Sequence, residues 1–326
     1  MWRIQNYLRI IVSTVAVFLV AGLSAQTIDE ANSLYNEGGQ ALQEDNKELA
    51  VQKFEECVSI CETLYEEEED LDAEELMNTV KPLLPKLFYQ VGYEKAKNKD
   101  LNGGLEYLQR SKSVSYEMGM DEYYDKSADL ASKIYYSFGI SKYKAKQYDE
   151  ALNHLKKAIE EKETNFKAHK MIILCYKAKE DDAGLIAATK AVKAIDKKSD
   201  DRDAVINITV THFYNKGVKA KQASSYDEAL ESLKTSLEFD NTNADAYFLL
   251  TSIYNAQENW DEAVEAATEG LKHESAGNQE RFNFELGNAY FGQGNNEAAC
   301  DAYSKAAIGD YLESANYQME HVVKCN

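Results

Sequence analysis

One short run of residues in the second half of the chain returns, nearly unchanged, at a distance typical of helical repeats. Tyr-Asp-Glu-Ala at 226–229 returns as Trp-Asp-Glu-Ala at 260–263, 34 residues later. A unit of that length holds two helices, and a single pair cannot cover its own apolar side. Such pairs are stable only when copies stack on one another. The period therefore predicts a chain built from repeated helical pairs.

The composition agrees with helix along the whole chain. The 326 residues include only 2 Pro and 16 Gly, with 44% hydrophobic and 28% charged residues. Pro and Gly are the residues that most disfavour helix interiors, so their scarcity favours an all-α fold. The 22 tyrosines argue against disorder, because disordered chains are poor in aromatic residues. The chain is long enough for one large repeat array.

Seven copies align on a position where two helices would cross closely. A small residue is expected 12 positions later, a large apolar residue 16 later and another small residue 19 later. The aligned sets are Gly38, Ala50, Phe54 and Cys57; Gly92, Gly104, Leu108 and Ser111; Gly139, Ala151, Leu155 and Ala158; Ile172, Gly184, Ala188 and Ala191; Gly217, Ala229, Leu233 and Ser236; Thr251, Ala263, Ala267 and Gly270; and Gly287, Ala299, Tyr303 and Ala306.

A helical glycine needs a physical reason, since it costs about 1 kcal/mol relative to Ala. Two antiparallel helices approach closely only where both carry small side chains, so close packing is the expected reason here. The fourth copy is degenerate because Ile172 takes the place of the glycine.

This pattern resembles the tetratricopeptide repeat (TPR) family over residues 28–308. The likeness rests on the phase of the aligned sets, the runs at 148–152, 226–230 and 260–263, and Leu-Gly-Asn-Ala-Tyr at 286–290. The proline that usually closes each repeat is missing, with Asn241 in its place in the fifth copy. The resemblance implies a right-handed α-solenoid of about seven helix-turn-helix repeats.

The intervals between copies are uneven and predict local additions to this array. We expect the repeats to occupy 26–308, with an acidic insert near 62–84 and a polar loop at 196–203. Pro82 and Pro85 are expected to start a helix, where a missing N–H is harmless. Residues 309–326 are expected to form a capping helix, with Leu312, Ala315, Met319, Val322 and Val323 on its inner face.

Residues 1–25 have the three-part form of a secretory signal peptide. Arg3 and Arg9 precede an apolar run that begins at Ile10, and small residues lead to Ala25. The sequence therefore predicts an exported protein, periplasmic or secreted, that has no membrane span once the leader is removed. Leu23 is larger than such cleavage sites prefer, and an uncleaved N-terminal anchor is the alternative.

The resemblance also implies a binding site. Three residues before each aligned crossing position, a side chain is expected to face the concave groove of the solenoid. These residues form a nearly continuous aromatic stripe, namely Tyr35, Tyr89, Tyr136, His169, Tyr214, Phe248 and Phe284. Such a stripe suits a peptide or helix of a partner protein. Core packing of the same aromatics is the alternative interpretation.

The predicted function is thus that of a non-enzymatic scaffold or adaptor for protein–protein interaction. An envelope glycan-binding module that uses the same aromatics is the alternative. A chaperone-tail clamp, found in some family members, would need Asn after each crossing position, and only Asn288 fits. An enzyme with an unrecognised site is a further rival that no sequence signature supports.

The charge and the cysteines of the chain restrict the kinds of ligand and cofactor that it is expected to bind. The formal charge is −20, and without residues 1–25 it becomes −22, which argues against nucleic acid or an anionic membrane surface. The cysteines and histidines lack the spacing of a zinc or redox motif, so neither metal nor cofactor is predicted. In an exported protein, Cys300 and Cys325 could form a disulfide that staples the cap to the last repeat. The alternative is that these cysteines are small buried thiols.

Overall fold

The computed structural model describes residues 27–325, and the predicted leader lies outside this range. Within it the chain forms α-helices with short 3-10 and π-helical turns, and no strand occurs between residues 27 and 325. The all-α prediction is therefore confirmed. The chain divides into two compact units, Met1–Tyr135 and Tyr136–Asn326.

The helices occur in the order that the predicted repeats require, and their number is close to the expected two per repeat. They are α1 Ile28–Gln43, α2 Lys47–Glu68, α3 Leu71–Val80, α4 Leu84–Lys97, α5 Leu101–Glu117, α6 Asp121–Lys144, α7 Tyr148–Glu161, α8 Phe166–Ala178, α9 Asp182–Ala194, α10 Asp200–Gln222, α11 Tyr226–Phe239, α12 Ala244–Ala256, α13 Trp260–His273, α14 Glu280–Gly292, α15 Asn296–Ala306 and α16 Leu312–Tyr317. Short 3-10 turns lie at Lys81–Leu83 and Gly309–Tyr311, and a π-helical turn lies at Gln318–Val323.

Residues 27–325 contain seven helix pairs, in each of which a tight turn joins the first helix to the second, and α3 lies between the first two pairs. The pairs are α1 with α2, α4 with α5, α6 with α7, α8 with α9, α10 with α11, α12 with α13, and α14 with α15. The first helix of each pair carries the predicted crossing position. This arrangement sets up the surfaces described below.

The crossing glycines lie where the alignment places them. A Cβ on Gly38 would lie 2.6 Å from Cε1 of Phe54, and one on Gly217 would lie 2.6 Å from Cγ of Leu233. In both pairs the large residue is the one 16 positions later. Where Thr251 replaces the glycine, both it and its partner Ala267 are fully buried. A larger residue on one helix is thus matched by a smaller one on the other.

The fourth repeat shows that the alignment was wrong by one residue. Ile173 is fully buried, as are Leu185, Thr189 and Val192, which lie 12, 16 and 19 positions after it. The residues of the predicted set are less buried, and Ala191 is exposed. The error arose because the alignment sought small residues, whereas this repeat fills its crossing with Ile, Leu and Thr.

The turns inside the pairs confirm the corrected register. Each contains a residue in the left-handed region seven positions after the crossing residue, namely Asp45, Lys99, Lys146, Glu180, Ser224, Glu258 and Gly294. The following residue is the N-cap of the second helix. In repeat 4 this is Asp181, whose Oδ1 accepts a hydrogen bond from the Gly184 N–H at 2.8 Å. A register based on Ile172 would place Glu180, a poorer cap, at that position.

The long intervals contain additional helix. In the acidic region, α2 continues to Glu68, Glu69 adopts a left-handed conformation, and Asp70 caps α3. Pro82 lies in the first turn of the following 3-10 helix and Pro85 in the first turn of α4, as predicted. A missing N–H at these positions leaves no hydrogen bond unmade.

The predicted polar loop at 196–203 is only partly a loop. Helix α10 begins at Asp200, and the Ser199 side chain accepts a hydrogen bond from the Arg202 N–H. Asp200, Asp201 and Asp203 lie in the first turn, where negative charge is favoured by the helix dipole. The polar residues that suggested a loop therefore include the first turn of a 23-residue helix.

The C-terminal segment is helical, but its inner face differs from the prediction. Ala315 and Val323 are buried, whereas Leu312 is 45% exposed and Val322 is 37% exposed. The prediction assumed α-helical spacing throughout. Residues 318–323 instead form a π-helical turn with i→i+5 hydrogen bonds, which changes the direction of the side chains after Tyr317. Leu312 lies before this turn and directly follows the 3-10 turn Gly309–Tyr311.

Candidate binding face

Six of the seven predicted stripe residues are half-buried and keep part of their surface open: Tyr35, Tyr89, Tyr136, Tyr214, Phe248 and Phe284. The seventh, His169, is only 5% exposed, and its Nε2 lies 2.8 Å from the Glu163 carbonyl oxygen. Burial lowers the pKa of His169. In the corrected register the stripe position of repeat 4 belongs to Lys170, which is exposed.

Within residues 27–135 the stripe residues join other aromatics. Tyr89 lies with its ring centroid 6.4 Å from that of Tyr93 and 6.3 Å from that of Tyr123. Tyr93 is 49% exposed. Tyr35 lies 6.0 Å from Phe54, the residue that packs on Gly38. Tyr89 is therefore the stripe residue in this unit that belongs to an exposed aromatic cluster.

Within residues 136–325, three stripe residues lie on first helices that contact one another in sequence. Tyr214 is on α10, Phe248 on α12 and Phe284 on α14, and α12 contacts both of the other helices. We call the surface of these three helices that bears Tyr214, Phe248 and Phe284 the first-helix face. It is the most extensive candidate site in this unit.

Arg281 lies in the first turn of α14, beside Phe248 of the first-helix face. Its guanidinium carbon is 4.9 Å from the ring centroid of Phe248, and Nη1 is 2.8 Å from Oδ1 of Asp245. Its Nε also donates to Glu274 Oε2 at 2.8 Å. Burial alone would lower the pKa of Arg281, but these two carboxylates raise it. The arginine is thus fixed and charged, and its guanidinium lies against the rings of Phe248 and Phe282.

Polar contacts hold the neighbouring first helices in register. Lys221 Nζ on α10 donates to Ser252 Oγ on α12 at 3.0 Å. The Asn255 amide on α12 donates to both the carbonyl oxygen and the carboxylate of Glu285 on α14, at 3.0 Å and 2.6 Å. These bonds connect α10 to α12 and α12 to α14, which keeps the aromatic positions in fixed relation.

Asn288, the only residue that matched a carboxylate clamp, makes hydrogen bonds within the protein. Its Nδ2 donates to Glu285 Oε2 at 3.2 Å, and its Oδ1 accepts from the Tyr303 hydroxyl at 2.7 Å. Burial raises the pKa of Tyr303 to about 12, so the hydroxyl retains the proton that it donates. The side-chain amide of Asn288 therefore already has hydrogen-bond partners within the protein.

A cavity of about 530 Å³ adjoins the first-helix face at the start of α12 and α14. Its lining includes Asn243, Asp245, Glu274, Glu280, Arg281 and Tyr311. Tyr311 belongs to the 3-10 turn after α15, and its ring lies 5.3 Å from that of Phe284. The C-terminal segment therefore contributes one wall of the site.

The cysteines divide into one pair and three thiols. Cys300 and Cys325 form a disulfide with Cα atoms 5.7 Å apart. Cys57, Cys61 and Cys175 are buried thiols. Burial raises the pKa of Cys57 to about 12 and that of Cys175 to about 11, so these thiols stay protonated and unreactive. The described part of the chain holds no cluster of His, Cys, Asp and Glu suited to a metal ion.

Neither Arg281 nor Tyr311 belongs to the sites predicted from the sequence. A signal for Arg281 was present, because it lies six residues before Gly287 and Asp245 lies six residues before Thr251. Opposite charges at one register in consecutive repeats indicate a pair between neighbouring first helices. Tyr311 lies after the last repeat, so the repeat pattern gives no sign of its contact with Phe284.

Comparison with known proteins identifies the repeat type in the C-terminal part of the chain. Two family models, each described as tetratricopeptide repeat, match residues 220–276 and 252–313. Tetratricopeptide repeats are therefore present in this region, which includes most of the first-helix face. A search of curated proteins finds no match.

Similar solved structures include other repeat proteins. A TPR repeats protein from Bacteroides fragilis has 19% identity and a TM-score of 0.37, covering 74% of this chain and 97% of its own. A tetratricopeptide repeat protein from Parabacteroides merdae has 12% identity and a TM-score of 0.30, covering 91% and 100%. YrrB, a TPR protein with an unusual peptide-binding site, has 17% identity and a TM-score of 0.28, covering 58% and 88%.

No helix in residues 27–325 is long and apolar enough to cross a bilayer. The longest, α6 with 24 residues, carries charged residues at both ends. This finding concerns only the described helices.

Proposed function

We propose that this protein is a non-enzymatic scaffold that holds a peptide segment of a partner protein on the first-helix face. The observation that carries the proposal is the repetition of Tyr214, Phe248 and Phe284 at one register on three helices in contact. Half-buried aromatics are rigid, lose little conformational entropy on binding and offer a wide contact area.

The surroundings of these aromatics favour a peptide as the occupant. A peptide that crosses α10, α12 and α14 meets an aromatic side chain on each helix. Arg281 and Asp245 supply hydrogen-bonding groups beside them, and Arg281 is already held by its carboxylate partners. A site that is ordered before binding spends less free energy on ordering its own side chains.

The state of the free thiols supports a binding role over a catalytic one. Cys57 and Cys175 are buried and protonated, so they are poor nucleophiles. Asp182, which accepts hydrogen bonds from His212 and Lys216, links α9 to α10. That cluster is explained by the packing of the two helices.

The proposal includes export, because residues 1–25 have the form of a signal peptide and a disulfide links Cys300 to Cys325. Disulfides persist chiefly outside the reducing cytosol. The partner would then be a periplasmic or extracellular protein. An envelope glycan that stacks on the same aromatics remains the alternative occupant.

A random-peptide display selection tests the proposed site. The chain from Gln26 is immobilised, and enriched peptides are compared on the unaltered protein, on Tyr214→Ser with Phe248→Ser, and on Val218→Glu. The last substitution adds charge without removing an aromatic residue, because Val218 is a half-buried residue of α10 one helical turn after Tyr214. The control is Tyr116→Ala, which removes an exposed tyrosine of α5, outside α10, α12 and α14. Circular dichroism and Tm establish that every variant is folded.

We expect peptides that bind the unaltered protein and the control and lose at least about tenfold in affinity on both face variants. Equal binding to all folded proteins would place the peptide site elsewhere. If no peptide is enriched while a glycan array gives binding that is lost on the face variants, the glycan alternative replaces the proposal.

A further inference from the structure

The residues after the last repeat pack on α15 through one small apolar cluster and are joined to it by a disulfide. We define the terminal segment as residues 307–325. Only Ala315 and Val323 of this segment are buried, whereas Ile308 is 54% exposed and Tyr317 is 59% exposed. Across residues 27–325, no side-chain hydrogen bond or ion pair joins this segment to an earlier helix; the His321–Glu320 pair is internal to it. The Cys300–Cys325 disulfide is thus its covalent attachment to α15 besides the main chain.

The terminal segment also completes the end of the first-helix face. The Phe284 ring lies 5.6 Å from Tyr303 on one side and 5.3 Å from Tyr311 on the other. Asp310 and Tyr311 line the cavity that contains Arg281. Because Tyr303 is anchored through Asn288, the movable member of this three-ring cluster is Tyr311.

We propose that the Cys300–Cys325 disulfide is a redox latch that holds Tyr311 against Phe284 and thereby sets the state of the binding face. This inference rests on the proposed function of that face, whose regulation it describes. In the oxidised protein the terminal segment forms one wall of the cavity beside Arg281. In the reduced protein the segment detaches, Tyr311 leaves Phe284, and the cavity loses one wall.

The reductant belongs to the class of dithiols. One thiolate of the dithiol attacks a sulfur of the Cys300–Cys325 disulfide, which forms a mixed disulfide and releases the other cysteine as a thiolate. The second thiol of the reductant then displaces the remaining cysteine. The dithiol is oxidised to its disulfide, and the two protons that it loses convert the two cysteine thiolates to thiols. The reverse exchange with an oxidised dithiol closes the latch.

Hydrogen exchange tests the latch without any ligand. The chain from Gln26 is measured oxidised, after reduction with dithiothreitol, and as Cys300→Ser with Cys325→Ser. We expect exchange in residues 309–323 to become about tenfold faster or more in the last two samples, with α12 and α13 unchanged. Unchanged exchange in 309–323 after verified reduction would overturn the proposal. Should the double variant fail to fold, the reduced sample still decides the question.

The double variant is also the control for the reductant. Dithiothreitol must alter the oxidised protein and leave the variant unaffected, since Cys57, Cys61 and Cys175 are already thiols.

The affinity of the selected peptides then measures the state of the first-helix face. We expect reduction and Tyr311→Ala to change their affinity in the same direction. If exchange responds to reduction but no peptide depends on Tyr214 and Phe248, the latch stands and the proposed function fails. If peptides bind the face in a redox-independent way, the proposed function stands and the regulation fails.

Discussion

At the scale of single residues, the close approach of paired helices depends on the absence of one Cβ. Gly38 and Gly39 are neighbours in α1, but a Cβ on Gly38 would lie 2.6 Å from Phe54 whereas one on Gly39 meets nothing within 4 Å. We expect Gly38→Ala to lower the free energy of unfolding by about 1–3 kcal/mol because Phe54 must shift. Gly39→Ala should raise it by about 0.5–1 kcal/mol through helix propensity. Urea unfolding of both variants checks this, and equal effects would contradict the packing argument.

A second residue-scale prediction concerns His169. Burial lowers the pKa of His169, so the unfolded chain binds a proton at a higher pH than the folded chain does. Stability from this group is therefore lost as the pH falls below about 6.5, the ordinary value. We expect the decrease in unfolding free energy between pH 7 and pH 5 to be smaller in His169→Gln. His154, whose pKa burial also lowers, should retain its share of the decrease. An unchanged pH profile in the variant would contradict the assignment.

The residue pattern predicted most of the repeat packing because the crossing positions are constrained by size. Gly38, Gly92, Gly139, Gly217 and Gly287 are glycines, and their partners 16 residues later are large. Repeat 4 solves the same spatial problem with Ile173 and Thr189, where the Thr189 hydroxyl lies 2.7 Å from that of Thr209. A rule based on small residues could not find a crossing that is filled in a different way, and His169 was assigned to the stripe as a result.

At the scale of the helical elements, the caps determine where each second helix begins. The Asp181 side chain caps α9 through the Gly184 N–H, whereas Glu180 lies in the turn with φ of 55°. We expect Asp181→Ala to lower the unfolding free energy by about 1 kcal/mol and Glu180→Ala to change it by less than about 0.5 kcal/mol. Thermal unfolding of the two variants tests the corrected register. The opposite order would support the alignment on Ile172.

The same caps show which helix boundaries could be predicted from the sequence. Asn46, Asp100, Asp181 and Asn295 each lie eight residues after a crossing position and accept a hydrogen bond from the backbone three residues later. Alignment on these residues would have placed repeat 4 correctly. The C-terminal segment follows no such rule: it ends in a π-helical turn that bears the buried Val323, and Cys325, which is joined to Cys300, follows that turn. Its contact with Phe284 could not be inferred from any periodicity.

At the scale of the whole molecule, the proposals for binding, export and redox control depend on one another. A disulfide latch has a function only where dithiols and their oxidised forms are both encountered by the protein. Such exchange occurs outside the cytosol. Residues 1–25, acting as a signal peptide, would direct the chain out of the cytosol. The formal charge of −22 for residues 26–326 also favours a partner that is itself neutral or basic.

Export can be tested on the full chain in a double-membraned bacterium. We expect the protein in the periplasmic fraction with Gln26 as its first residue and with Cys300 joined to Cys325, as shown by mass spectrometry without reduction. Phe18→Asp is the matched control, because a charge in the apolar run of a signal peptide should block export. That variant should remain in the cytoplasm with both thiols reduced. Recovery of the unaltered chain in the membrane fraction with residues 1–25 attached would establish the anchor alternative. Recovery in the cytoplasm would remove the setting that the redox latch requires.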